Sequence, residues 1–123
     1  MIHGAVNADL EAIVPLLIQD AAGQVHQIEA VIDTGFSGFV TLPPALVAAW
    51  GLPWLCQDQG VLADGSVIAF DVHRATVMWD GQPRRVDTEA VDVRSLIGTA
   101  MLDGHKVDME VKNAGNVTIQ AIP

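Results

Sequence analysis

Positive charge is scarce in this sequence, cysteine nearly absent, and no apolar run is long. Six Lys and Arg stand against 15 Asp and Glu, a net charge of −9. Repulsion makes nucleic acid or an anionic membrane surface a poor partner. The single cysteine, Cys56, excludes an internal disulfide and supplies no thiol pair for a zinc cage; it reads as a small buried hydrophobe. His3, His26, His73 and His105 lack the tight spacing of zinc ligands, so no metal is expected. The most apolar stretch, residues 42–56, is too short to span a bilayer and is broken by Pro43, Pro44, Gly51 and Pro53. Met1-Ile2-His3-Gly4-Ala5 has neither the basic region nor the apolar core of a signal peptide, and a cytoplasmic location is expected. There is no P-loop and no G-x-G-x-x-G. Gly35-Phe36-Ser37-Gly38 falls short of G-x-S-x-G because Phe39 stands where the last glycine belongs. No cofactor is called for.

What the chain does have is apolar residues, 50% of its 123, with only 17% charged and no low-complexity tract. That composition implies one ordered globular domain, too short for a two-lobed enzyme. Turn signals recur at Asp64-Gly65, Asp80-Gly81 and Ala114-Gly115, each between β-rich segments. Strands are expected at 10–19, 25–32, 39–42, 67–79 and 85–93, with a hairpin at 61–68 and a closing hairpin from 106–111 and 116–122. Pro15 suggests an edge or bulge position in the first of these. Pro at its start and Gly at its end mark 43–51 as a short helix, and 95–104 reads as an apolar step onto glycine followed by one helical turn. Trp50 and Trp54 are assigned to the core. Asp87, Glu89 and Asp92 read as a solvated acidic face. The fold class is all-β: a small closed or semi-closed barrel with one or two short helices.

One stretch resists that plain reading. Ala30-Val31-Ile32-Asp33-Thr34-Gly35-Phe36-Ser37-Gly38-Phe39-Val40 carries a carboxylate into an apolar strand and breaks on glycine. Burying an unpartnered carboxylate costs roughly several kcal/mol, so partners are required. Thr34 offers a hydroxyl, and Gly35 permits positive φ and close approach of backbone N–H groups to Asp33. A tight, buried turn is expected. Asp-x-Gly by itself also reads as a plain strand ending.

In its setting this stretch resembles the active-site loop of the retropepsin-like, single-domain aspartic proteases. Val31-Ile32-Asp33-Thr34-Gly35 is similar to the catalytic loop, Trp50-Gly51-Leu52-Pro53 to the segment after it in small bacterial members, and Ala63-Asp64-Gly65 to the flap tip. Leu96-Ile97-Gly98 is similar to the hydrophobic-hydrophobic-glycine motif beside the loop. The resemblance covers residues 11–122 and leaves 1–10 without an assigned role. It implies an aspartic endopeptidase acting on peptide or protein substrates, with Asp33 catalytic, Thr34, Gly35, Phe36 and Ser37 in the active-site loop, and Thr34 bonding across a dimer axis. Phe36 departs from the pattern, standing where pepsin-type members often carry a hydroxyl. The chemistry uses two carboxylates sharing one proton, and the motif occurs once, so a homodimer with Asp33 from each subunit is implied. Val61, Leu62, Ile68 and Phe36 would favour apolar side chains beside the cut. The alternative is a dimeric peptide-binding module that keeps the barrel without turnover.

Overall fold

Alternation of apolar and polar residues builds this chain's strands, and the computed structural model describes all residues, 1–123. In β2 (Ala12–Gln19) Ala12, Val14, Leu16 and Ile18 are buried while Pro15 faces out. β2 forms a hairpin with β3 (Val25–Ile32), whose own alternation gives way at Ala30 and Val31, both buried. The connecting turn is held by Asp20, whose Oδ1 accepts from the Ala22 and Gln24 N–H groups at 2.9 Å. β1 (Ile2–Val6) pairs with β2 on one side, so residues 1–10 contribute a strand inside the sheet.

After the Asp33 turn come β4 (Val40–Leu42), α1 (Pro44–Ala49) and the long arms β5 (Trp54–Val61), β6 (Val67–Trp79) and β7 (Gln82–Ala90). Asp80 and Gly81, with φ of 50° and 80°, make the left-handed pair that a two-residue hairpin between β6 and β7 requires. The chain ends with β8 (Leu96–Ile97), α2 (Thr99–Leu102), β9 (His105–Met109) and β10 (Asn116–Ala121). Neither helix is long and apolar enough to cross a membrane.

The ten strands form one sheet in the order β5-β6-β7-β4-β8-β3-β2-β1-β10-β9, and a further pairing of β6 with β2 closes the middle six into a barrel. The all-β closed barrel with short helices is thus the fold. Val14, Leu16, Ile18, Val40, Leu42, Val77 and Ile97 fill it, each at most 1% exposed. Truncating any large one to alanine would cost about 2–5 kcal/mol.

β2 is an inner strand, yet Pro15 sits at a locally free edge, since β2 pairs with β1 at Ala12 and Ile13 and with β6 only from Leu17, leaving that flank open at residue 15. Two expectations need correction. Trp50 packs against the core and stacks on His26, ring centroids 4.8 Å apart, but Trp54 is 59% exposed. Cys56 is exposed as well. Both lie on β5, which pairs with β6 alone and has no layer over it.

Candidate active site

Two parallel strands aim Asp33. β3 and β8 run side by side with Val31 opposite Leu96 and Ile32 opposite Ile97. The Val31 N–H donates to the Ser95 carbonyl and the Asp33 N–H to the Ile97 carbonyl, both at 2.9 Å. Beyond Ile32 the chain leaves the barrel wall and turns. The Phe36 N–H donates to the Asp33 carbonyl at 3.1 Å, and the Gly35 N–H donates to Asp33 Oδ1 at 2.9 Å.

This turn is tight but not buried. Asp33 is half-buried, and Thr34, Gly35 and Ser37 are exposed, because the turn projects past the barrel end. Within the chain Asp33 Oδ2 accepts no hydrogen bond, and neither the Thr34 nor the Ser37 hydroxyl reaches the carboxylate. Gly35 does not take a left-handed backbone; a Cβ there would stand 3.2 Å from Asp33 Oδ1, close enough that the carboxylate would have to shift slightly.

The departure at position 36 has a structural explanation. The Phe36 ring covers Gly38 and Gly98, where added β-carbons would lie 2.5 Å from Cζ and 2.7 Å from Cδ2. The Phe36 carbonyl accepts from the Thr99 N–H at 2.9 Å. The Gly98 N–H donates to the Phe39 carbonyl at 2.9 Å, and the Ala100 N–H to the Gly38 carbonyl at 3.2 Å. Leu96, Ile97 and Gly98 therefore lie directly against the loop, with Ile97 fully buried.

Ala63, Asp64 and Gly65 form the tip of the β5–β6 hairpin. Asp64 Oδ1 accepts from the Ser66 N–H and hydroxyl at 2.8 and 2.6 Å, and the hydroxyl holds the Asp64 carboxyl below its ordinary range. Gly65 takes the left-handed position, φ 84°. The apolar residues at the tip are bare, Val61 at 74% and Val67 at 59% exposure. Ala63, Asp64 and Gly65 are not among the residues that wall the cavity beside Asp33. The cavity beside Asp33, about 540 Å³, is walled instead by Thr34, Leu10 and Leu96 and by Val107 and Met109 of β9.

A second cavity of about 260 Å³ opens on the other side of the loop, from Ser37 and Phe39 to Asp58, Asp87 and Glu89. Glu89 is part-buried, and burial first, then the charge of Asp58, raises its pKa above 4.5. Of the acidic face read from the sequence, Asp92 is exposed and Asp87 pairs with Arg74 at 3.3 Å, while Glu89 turns towards the loop. Asp58 carries no sequence signal. It arrives there because β5 pairs with β6 and β6 with β7, setting Asp58 opposite Phe70 and Glu89 opposite Val72. These side chains do not converge as a metal-ligand set.

No protein-family model matches the chain, and no curated protein matches its sequence. Among solved structures, the chain is similar to a retropepsin-like aspartic protease from Rickettsia conorii, with a TM-score of 0.62 and 14% identity. The match covers 98% of this chain and 91% of that one. At that identity the likeness is one of fold: the chain has the retropepsin-like all-β fold over nearly its whole length.

Proposed function

We propose that the chain is an aspartic endopeptidase whose active form is a homodimer, with one Asp33 from each subunit sharing the water that attacks the peptide bond. The observation that carries this reading is the state of Asp33. Its inner oxygen is fixed by the Gly35 N–H, its outer oxygen is unclaimed, and the loop that holds it is exposed at the end of a retropepsin-like barrel. A lone carboxylate so held lacks the second acid–base group that the reaction needs. A two-fold axis past the exposed loop supplies it, one carboxylate acting as base on the water while the other protonates the leaving group. Thr34, exposed beside it, would bond to the partner loop, and the β5–β6 hairpin with its bare Val61, Leu62, Val67 and Ile68 would close over an extended peptide.

The purified protein should cleave unstructured peptides with an acidic optimum and lower rates on either side. Asp33→Asn should reduce kcat about a thousandfold or more while sedimentation still shows the dimer. Peptide binding without cleavage from acidic to neutral pH would replace this reading with the dimeric binding module. The absence of any hydroxyl donor to Asp33 within the chain favours that second reading.

A further inference from the structure

We infer that the outer wall of the barrel carries a binding site for the phosphate group of a small molecule, formed by Arg74 and Arg85 with Thr76 and Gln19 around a cavity of about 280 Å³. Strand alternation puts these four side chains on one face. Ile18, Ala75, Val77 and Val86 are buried in the barrel, so their neighbours Gln19, Arg74, Thr76 and Arg85 point outward. Pairing then sets Gln19 of β2 opposite Thr76 of β6, and Thr76 opposite Arg85 of β7. Arg74 stands on the same face, two residues before Thr76. The cluster exists only because β6 closes on β2.

Two of the chain's six Lys and Arg meet here, in a protein with 15 acidic side chains. Other cations are engaged: Arg94 with Glu11, Lys106 with Asp108, and Arg84 with the Met101 carbonyl. Arg85 is exposed and has no such partner. Arg74 lies 3.3 Å from Asp87, but as charge beside charge only, since its buried Nε makes no hydrogen bond. Asp20 also borders the cavity, and its oxygens are already occupied. Oδ1 accepts from the Ala22 and Gln24 N–H groups, and Oδ2 lies 2.7 Å from His26 Nε2. Gln19 Nε2 donates one hydrogen to the Gly23 carbonyl at 3.2 Å and keeps the other. The free donors are therefore two guanidinium groups, one hydroxyl and one amide hydrogen.

That donor set selects the ligand. Two fixed positive charges with neutral donors between them match a group carrying nearly two negative charges and three acceptor oxygens, which is a phosphate monoester. A carboxylate brings one charge and two oxygens, and leaves one guanidinium unused. Ala21, Leu52 and Pro53 form an apolar wall beside the donors, which accommodates the carbon portion of an ester and offers nothing to free phosphate. The net charge of −9 disfavours a polyanion, so the carrier is a small molecule. The site stands apart from Asp33. Gln19 ends β2, whereas Ala12, which borders the cavity beside Asp33, begins it, roughly 20 Å away along the strand.

The test is calorimetric titration of the purified protein, at fixed ionic strength, with phenyl phosphate, inorganic phosphate and acetate. Phenyl phosphate should bind most tightly, inorganic phosphate more weakly, and acetate not measurably. Arg85→Gln and Arg74→Gln should each weaken phenyl phosphate binding about tenfold to a hundredfold. Lys106→Gln removes the same charge from β9 and should leave binding unchanged. Arg85 makes no contact that the fold depends on, so Arg85→Gln decides the matter even where loss of the Asp87 pair unfolds Arg74→Gln. Inorganic phosphate bound as tightly as phenyl phosphate, with the same dependence on Arg85, would keep the site and make free phosphate its ligand. Acetate bound as tightly as either, an equal loss in Lys106→Gln, or no binding of either phosphate in the millimolar range would overturn the proposal.

Discussion

Phe36 and Gly98 touch so closely that no side chain fits between them: a Cβ on Gly98 would stand 2.7 Å from both the carbonyl oxygen and the Cδ2 of Phe36, and 2.2 Å from the Gly38 carbonyl. The φ of Gly98 is −96°, a value any residue adopts, so glycine is needed here for its absent side chain.

Gly98→Ala should therefore cost about 3 kcal/mol, the upper end for overpacking, because two of the three obstructing atoms are backbone oxygens that cannot rotate away. Denaturant unfolding measures the loss. Pushing the loop off β8 should also reduce cleavage in whatever fraction stays folded.

Two buried threonines on neighbouring strands make opposite predictions. Thr41 Oγ1 accepts from the Leu96 N–H at 2.9 Å and donates to the Arg94 carbonyl at 3.1 Å, which ties β4 to the start of β8. Thr41→Val leaves both groups unpaired and should destabilise by about 1–3 kcal/mol, with Thr41→Ser retaining most of the stability. Thr88, fully buried on β7, has no partner for its hydroxyl. Thr88→Val should stabilise by about 1 kcal/mol, since it removes a buried unpaired polar group at nearly constant volume.

Glu89 should make stability fall with rising pH. Burial raises its folded pKa above 4.5, so the folded state holds the proton more tightly than the unfolded chain does. Its contribution is intact below pH 4.5 and is lost as pH climbs through the raised value. Glu89→Gln should flatten that part of the stability profile, the variant gaining on the wild type at neutral pH and losing the advantage in acid. Thermal melts from acidic to neutral pH give the comparison.

Glu11 should act in the other direction. Its hydrogen bond with Arg94, then that with Asn7, lowers its pKa from 4.5. The pair helps the fold above that pH and fades as pH drops through the lowered value. Glu11→Gln should narrow the gap between acidic and neutral stability, and added salt should shrink the difference because the pair is solvent-facing.

Much of this architecture is legible in the residues. The alternation in 25–32 predicts β3 to the residue, and Asp-Gly at 64–65 and 80–81 marks two hairpins that form as expected. Leu96-Ile97-Gly98 can be paired with the Asp33 loop because both are apolar steps onto glycine. Two of the failures share one cause. Trp54 and Cys56 have the composition of core residues, but burial depends on whether another layer covers the strand, and β5 has none. Likewise the Asp33 turn has a buried turn's sequence yet lies open in the single chain, and Phe36, an anomaly in the motif, is the lid over Gly38 and Gly98.

The sequence by itself determined most of the strands, though not β1 or the greater part of β5, together with the turns and the one carboxylate set in an apolar loop, since these follow from local periodicity and from what glycine and aspartate permit. Only the tertiary structure decided that β6 closes on β2, that β9 is left with an open edge beside Asp33, and that Asp58 and Glu89 meet behind the loop. Those are relations between residues far apart in the chain, and no local preference encodes which strand edges find a partner.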